Sequence, residues 1–319
     1  MYKCGTYLDE TWIEKRMSAT KRVLSLTLCV LPAALSISVR AQSQTVPTSN
    51  VTARTRLVQF DDHDATAFTI DVDGKQYLVT AKHFVSSADD GAKITIQMWK
   101  RNGWDKLEVT VFKCSDPVDI AVLVPPKQVS VNFALPPDHA GDFVGEDVYF
   151  VGFPFGTEHA ITYPTMAGVF GVVKRATIAQ LEYLPAENVQ RLWLDGINNE
   201  GFSGSPVVFY GPGQSEVGSG QSKTVLKVAG VISAYEPQIT AVYDKTEIKA
   251  EDITPADREQ NVIGVIDGKI YRLKDTGRVV QSNTGLAIAW DISPAVELIR
   301  KHPIGPAVTD GFDDAKNGY

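Results

Sequence analysis

The stretch "NNEGFSGSPVVFY", residues 198–210, sets small residues against strand formers. Ser203 lies in the small-residue part, flanked by Gly201, Gly204 and Ser205, with Pro206 opening the apolar run. Alone, the stretch reads as a turn leading into a strand. A serine hydroxyl becomes a nucleophile only where a neighbouring base takes its proton, and the side chain of near-neutral pKa is histidine. His63, His139, His159 and His302 sit in polar or loop contexts, whereas His83 directly follows an apolar run in "YLVTAKHFV". An imidazole base works best when a buried carboxylate fixes its tautomer and stabilises its protonated form. Asp119 in "DPVDIAVLV" heads an apolar run, where a carboxylate is costly unless paired. Asp116 has polar neighbours suited to a turn. Gly201 can take backbone angles that other residues resist, so its N–H and that of Ser203 can converge on a developing oxyanion. The chemistry these residues would do is acyl transfer, with Ser203 as nucleophile, His83 as base, Asp119 as its orienter, and Gly201 and Ser203 as oxyanion donors.

A rival serine-hydrolase architecture fails on the same residues. An α/β-hydrolase elbow places G-x-S-x-G between a strand and a helix. Here Ser205 fills the last position, Pro206 and a strand follow, and only His302 comes after Ser203 to serve as base.

The elements that must position these residues are mostly strands. "RLVQF", "ATAFTIDV", "KQYLVTA", "KITIQMW", "LEVTVFKC" and "DIAVLVP" follow one another between about residues 56 and 125. Asp73-Gly74 in "DVDGKQ" is a tight-hairpin signal. "PPKQVSVNFALPPDHAG", residues 125–141, lacks helical periodicity and reads as a linker. A second block holds "DVYFVGF", "AGVFGVVKRA", "RLWLD", "PVVFY", "VLKVAGVISAY" and "TGLAIAW". A helix is expected over Ser293–His302, with Ser293 as N-cap and Pro294 at the first helical position. Residues 236–282 are polar and charged and read as an inserted loop with one hairpin-like piece, "NVIGVIDGKIYRL". "GPGQSEVGSGQSK", residues 211–223, reads as a flexible tip. The expected organisation is an extension over 1–41, a first β-domain over 56–135, a second over 141–303 and a tail over 304–319. Each β-domain is a barrel or a sandwich.

The remaining composition narrows the setting. Lys21 and Arg22 precede the apolar run "VLSLTLCVLPAALSISV", and "VRA" at 39–41 is a cleavage-site pattern before polar "QSQTVPTSN". That order reads as an export signal. The run is too short, and too interrupted by Pro32, for the ~20 residues of a membrane span, so no stable membrane anchor is expected after cleavage. The destination is periplasmic or extracellular. Of Cys4, Cys29 and Cys114 only Cys114 remains after cleavage, as an inert small hydrophobe without a disulfide. The net charge is −7, and residues 1–41 carry six Lys/Arg against three Asp/Glu, so their removal leaves −10. That disfavours nucleic acid and anionic membranes as partners. "DDHD" at 61–64 lacks a second ligand cluster and reads as a solvated loop, so neither a metal nor another cofactor is expected.

"TAKH" at 80–83, "DIAVL" at 119–123 and "GFSGSP" at 201–206 resemble the histidine, aspartate and serine boxes of chymotrypsin-like (trypsin-fold) serine proteases, in that family's order. "VGFPFG" at 151–156, "DGINNEGFSG" at 195–204, "VAGVISAY" at 228–235 and "TGLAIAWDISPAVELI" at 284–299 resemble segments of the bacterial disulfide-free HtrA type. "SGSP" also resembles extracellular glutamyl endopeptidases. The resemblance spans about residues 56–303 and implies an all-β fold of two antiparallel β-barrels with a C-terminal helix. It implies an endopeptidase acting on protein or peptide substrates, without the PDZ domain of many HtrA-type proteins. It also implies a specificity pocket with Ile197 and Asn198 at its base, Ser233, Ala234 and Tyr235 along one wall, and Gly285 and Ala287 at the back. No acid stands at that base, and Ile232 occupies the place of a histidine in glutamyl-specific members, so a small or medium apolar residue before the cleaved bond is expected. The backbone of 233–235 would pair with substrate as an added strand. Phe202 departs from the family, replacing a polar residue that in digestive members is an aspartate paired with a freed N-terminal amine. The alternative expectation is a catalytically silent trypsin-fold module that binds peptides or proteins.

Overall fold

The structure is a computed structural model, and it describes residues 49–319 apart from 102, 157–160, 163–168, 214–223, 261, 315 and 319. The expected export signal and most of the 211–223 tip lie outside the described residues. After a short helix α1 (Ser49–Thr52), six strands form the first barrel: β1 (Thr55–Phe60), β2 (His63–Val72), β3 (Lys75–Thr80), β4 (Lys93–Lys100), β5 (Gly103–Lys113) and β6 (Ala121–Val124). They close in the order β1-β2-β3-β6-β5-β4, all neighbours antiparallel. The β2–β3 turn is the expected one, with Asp73 at φ 50° and Gly74 at φ 76°, the positive values that a two-residue primed turn needs.

The second block supplies β7 (Asp147–Gly152), β8 (Ile161–Thr162), β9 (Val169–Phe170), β10 (Val172–Leu184), β11 (Val189–Asp195), β12 (Pro206–Pro212), β13 (Thr224–Ile248), β14 (Ile263–Ile266) and β15 (Lys269–Asp291). Seven of them run in the order β11-β10-β7-β12-β13-β15-β14. A further antiparallel pairing of β11 with β15, from Arg191↔Trp290 to Asp195↔Leu286, closes six of these into a second barrel. The two-barrel expectation therefore holds.

Strand alternation explains the near-continuous apolar runs. In the first barrel Ala65, Ala67, Leu78, Ala121 and Leu123 fill the interior. Their sequence neighbours Phe68, Ile70, Tyr77, Val79 and Val122 point outward into the seam with Val151, Val208, Val228 and Trp290. Successive side chains of a strand face opposite ways, so a strand covered on both faces is apolar at every position. A third cluster, including Phe150, Phe202, Phe209 and Ile232, fills the second barrel.

Three expectations are corrected. Residues 236–282 are not a loop: β13 and β15 continue past the barrel as a two-stranded ribbon, paired from Pro237↔Asn283 to Ile248↔Ile270. Its tip carries α2 (Pro255–Glu259) and the β14–β15 hairpin that the sequence indicated. The helix α3 (Ser293–Lys301) is present, but Ser293 is its first residue, and Ile292 holds the N-cap position without a side-chain cap bond. The Asp291 carboxylate accepts from the Ser293 N–H at 2.8 Å and hydroxyl at 3.0 Å. The residues after 303 are not a free tail. They strap the first barrel: Gln76 N–H donates to the Pro306 carbonyl at 2.9 Å, Val308 N–H to Gly74 at 2.9 Å, and the Arg56 guanidinium meets Asp314 at 3.2 Å.

Gln76 ties strap, linker and barrel together. Its side chain is fully buried, accepts from the N–H groups of Val129 and Ser130 at 2.9 and 3.0 Å, and donates to the Ser130 carbonyl at 3.2 Å. Gln76→Ala leaves those buried groups unpaired, and a stability loss of about 2–4 kcal/mol is expected. Urea unfolding at unchanged m-value is the measurement; a loss under ~0.5 kcal/mol would contradict this role.

Candidate active site

The Ser203 loop, residues 196–205, joins β11 to β12 across the seam. Two glycines allow its path. A Cβ on Gly201 (φ 90°) would lie 2.2 Å from the Phe153 carbonyl, and one on Gly204 (φ 84°) would lie 2.0 Å from the Thr66 carbonyl. The first barrel grips this loop through Thr66 on β2. Its N–H donates to the Ser203 carbonyl at 2.9 Å, and its hydroxyl to the Gly201 carbonyl at 2.7 Å. Thr66 was invisible to motif reading, because a threonine within a strand carries no signal of its own.

His83 sits on a single 3-10 turn, Lys82–Val85, at the end of β3. Its Nδ1 lies 2.7 Å from Asp119 Oδ2, and its backbone N–H donates to Asp119 Oδ1 at 2.8 Å. The Ser233 hydroxyl donates to the same Asp119 Oδ2 at 2.5 Å. Burial pushes the Asp119 carboxyl up, but the His83 ring and the Ser233 hydroxyl outweigh it and hold the group below the usual carboxylate range. Ser203 Oγ hydrogen-bonds the Ser233 carbonyl at 3.4 Å. Ser203, His83 and Gly201 line one open cavity of about 690 Å³ with His63, Phe155 and Glu200. Among the described residues, neither the Gly201 nor the Ser203 N–H has an acceptor. His83, Asp119, Ser203 and Gly201, far apart in sequence, are thus brought to one place.

Phe202, where the sequence departs from the resemblance, is fully buried edge-on to Phe150 at 5.0 Å. Lys174 on β10 stands over its ring at 5.0 Å. The same ammonium donates to the Ile197 carbonyl at 2.7 Å and to Asn199 Oδ1 at 2.5 Å. A cation stacked on an aromatic ring and bonded to the loop holds the segment before Gly201.

The expected pocket residues divide. Asn198 is buried and donates to the Ala234 carbonyl at 3.0 Å, while Asn283 donates to the Asn198 carbonyl. Gly196 N–H donates to the Gly285 carbonyl at 2.7 Å, and Tyr235 pairs with Ala287. Ile197 is 57% exposed, so its side chain is not the buried base expected of it. Ala287 is fully buried in the second-barrel core, because its β15 position points inward, so its side chain lines no pocket. Cys114 is buried, and burial pushes its thiol up to about 12, the inert state expected of it. His302 stacks on Phe112 at 4.0 Å, outside the site.

A family model described as a trypsin-like peptidase domain matches residues 65–210, from β2 to β12, a span that contains His83, Asp119 and Ser203. Two closed antiparallel barrels with a serine loop on their seam agree with that match, which makes residues 65–210 similar to a trypsin-like peptidase domain. No curated protein matches the sequence. Among solved structures, the inactive form of Rv3671c protease is 14% identical over 79% of this chain and 90% of that one, at a TM-score of 0.43. Rv3671c from M. tuberculosis H37Rv also matches as an inactive mutant, 13% identical over 81% and 91%, at 0.43. The HtrA-type protease AlgW with tripeptide is 16% identical over 79% and 61%, again at 0.43. Likenesses this distant carry no activity across.

Ser233→Ala removes a donor from the charged form of Asp119, so the Asp119 pKa is expected to rise. Because the folded pKa is depressed, the stability Asp119 contributes is present above the ordinary range near ~3.9 and is lost as pH falls through the folded value. The substitution moves that loss to higher pH. Carbon-13 carboxyl titration measures it, and an unchanged Asp119 titration would refute the coupling.

Proposed function

We propose that this protein is a serine endopeptidase. The observation that carries the reading is the joining of His83, Asp119 and Ser233 by hydrogen bonds, with His83, Gly201 and Ser203 lining one cavity and, among the described residues, no acceptor for the Gly201 and Ser203 N–H groups. Ser203 Oγ turns about its side-chain bond from the Ser233 carbonyl toward His83 and attacks the scissile carbonyl carbon. Its proton passes to His83 Nε2. Asp119, held ionised, stabilises the imidazolium through Nδ1. The N–H groups of Gly201 and Ser203 bind the oxyanion, an interaction typically worth about 3–4 kcal/mol per donor. His83 then protonates the leaving amine, giving an acyl-enzyme. Water attacks this in turn, with His83 again as base, and restores Ser203. These steps use side chains and backbone alone.

Of the residues placed at the specificity site, Asn198 is buried, uncharged and donates to the Ala234 carbonyl, and the Ala287 side chain packs in the barrel core. That supports a small or medium apolar residue before the cleaved bond, with the Ser233–Tyr235 backbone pairing to substrate. The pattern over residues 21–41 supports export, with a mature chain beginning at Gln42 as the testable product. Among the described residues no helix is long and apolar enough to cross a membrane.

Fluorophosphonate labelling is expected on the wild type and absent from Ser203→Ala. Peptide turnover by Ser203→Ala or His83→Ala is expected to fall by about 10⁴–10⁶, and a peptide-library profile should favour small apolar residues over Arg, Lys or Glu. A folded wild type that binds peptides yet takes no label would instead establish the silent binding module.

A further inference from the structure

The outer edge of the ribbon continues the strand that borders the cleft. β13 pairs with β12 as far as Val231, opposite Pro206, and Ile232 exchanges backbone hydrogen bonds with Gly204 and Ser205. Beyond that point, among the described residues, β13 pairs with β15 alone through Ile248. One edge of its backbone is therefore open over the whole ribbon. Native sheets guard such edges with charges, short strands or a covering element. Apart from Pro237 itself and the register shift beside it, this edge has none of these, among the described residues, over Pro237–Ala241, "PQITA", and the facing run Val279–Asn283, "VVQSN", is uncharged too. Ile239 is 66% exposed and Val279 63% exposed. Ile239 pairs with Gln281 and Ala241 with Val279, so Ile239, Ala241 and Val279 share one face. Charge returns at Glu236 on the cleft side, and toward the tip at Arg278 opposite Val242, at Asp275 opposite Tyr243, and at Asp244 and Lys245.

We propose that this open edge is a docking site for the substrate chain upstream of the scissile bond. It takes an extended, uncharged, β-prone polypeptide segment roughly five to eleven residues before the cleaved bond, one substrate residue for each strand residue. The inference rests on the peptidase reading above. In that reading His83 protonates the leaving amine, so the leaving half of the substrate lies on the His83 side, in the cavity with Asp61 and His63. The acyl half lies along Ser233–Tyr235, whose Ser233 carbonyl is 3.4 Å from Ser203 Oγ. From there β13 leads away from Ser203 with the same edge open. A substrate strand paired to Ser233–Tyr235 reaches the ribbon past the register shift at Tyr235/Pro237 and resumes pairing beyond Pro237. Backbone pairing supplies affinity with little sequence demand, and alternate side chains on the Ile239 face select apolar ones. The substrate class is accordingly unfolded polypeptide, since a segment inside a folded domain has its own partners.

The test uses the full chain and fluorogenic peptides that share one cleavage sequence. They carry upstream extensions of zero, four or eight residues, either uncharged and β-prone or rich in Glu and Lys. The uncharged eight-residue extension is expected to raise kcat/KM about tenfold or more, mainly through KM, equivalent to ~1.4 kcal/mol. The charged extension gives no rise. Ile239→Lys and Ala241→Lys, both outside the catalytic cluster, are expected to abolish the rise and leave turnover of the unextended peptide unchanged. Cleavage of the unextended peptide without any dependence on extension overturns the docking site and leaves the peptidase reading intact. Failure to cleave any peptide or to take fluorophosphonate overturns both. A concentration-dependent dimer that Ile239→Lys dissociates, with turnover independent of extension, assigns the edge to a second copy and likewise overturns the proposal.

Discussion

The Thr66 N–H donates to the Ser203 carbonyl across the seam between the barrels, and the Thr66 hydroxyl holds the Gly201 carbonyl from the same side. These bonds turn the carbonyls of the serine loop toward the first barrel. The Gly201 and Ser203 N–H groups, without acceptors among the described residues, remain on the loop beside the cavity. The first barrel therefore both carries His83 and Asp119 and fixes the conformation of the loop that carries Ser203. Thr80 extends the arrangement inward, its hydroxyl donating to the Thr66 carbonyl at 2.8 Å. Any shift of one barrel against the other would separate the histidine from the serine and release the loop together. Its rigidity comes from the apolar seam, in which Phe68, Ile70, Val151 and Val208 pack without gaps large enough to leave them exposed.

The second constraint is electrostatic. Asp119 is a partly buried carboxylate that stays ionised because three donors converge on it: the His83 ring, the His83 N–H and the Ser233 hydroxyl. Two come from the first barrel and one from the second, so the pairing also spans the seam. On the far side of the serine, Lys174 holds the loop before Gly201 while lying against Phe202. The fold thus anchors the loop by a cation on an aromatic ring, with Phe202 itself packed in the barrel core. Cys114, a free thiol, contributes only packing in the seam.

Much of this was legible in the sequence, and the reasons differ by residue. Ser203, His83 and Asp119 could be read because each breaks its local pattern: a serine among glycines, a histidine after an apolar strand, a carboxylate before one. Two β-domains followed from strand spacing, and the resemblance made them barrels; "ATAFTIDV" and "KQYLVT" are apolar throughout because they alternate between a barrel interior and a seam that are both apolar. What could not be read depended on long-range pairing. Thr66 looks like any strand threonine, and its role exists only where the serine loop meets β2. Residues 236–282 read as a loop because a ribbon exposed on both faces loses the period-2 contrast that marks a strand. Ala287 was placed at a pocket, but the inward position of β15 turns its side chain to the core. Ser293 looked like a cap because serine is a favoured N-cap residue; the helix instead begins at Ser293, whose N–H donates to the Asp291 carboxylate.

The strap over residues 304–314 has a consequence for the order in which the molecule is made. Residues 55–124 leave the ribosome first and hold every strand of the first barrel. Yet Gly74, Gln76, Tyr77 and Arg56 find partners in Val308, Pro306, Gly305 and Asp314, which are synthesised after the whole second barrel. The barrel that emerges first is therefore the one finished last. Until the strap arrives, its exposed β3 backbone and the buried Arg56 charge lack these partners. The hydrogen bonding of the first barrel is thus complete only once residues 305–314, made last, are in place.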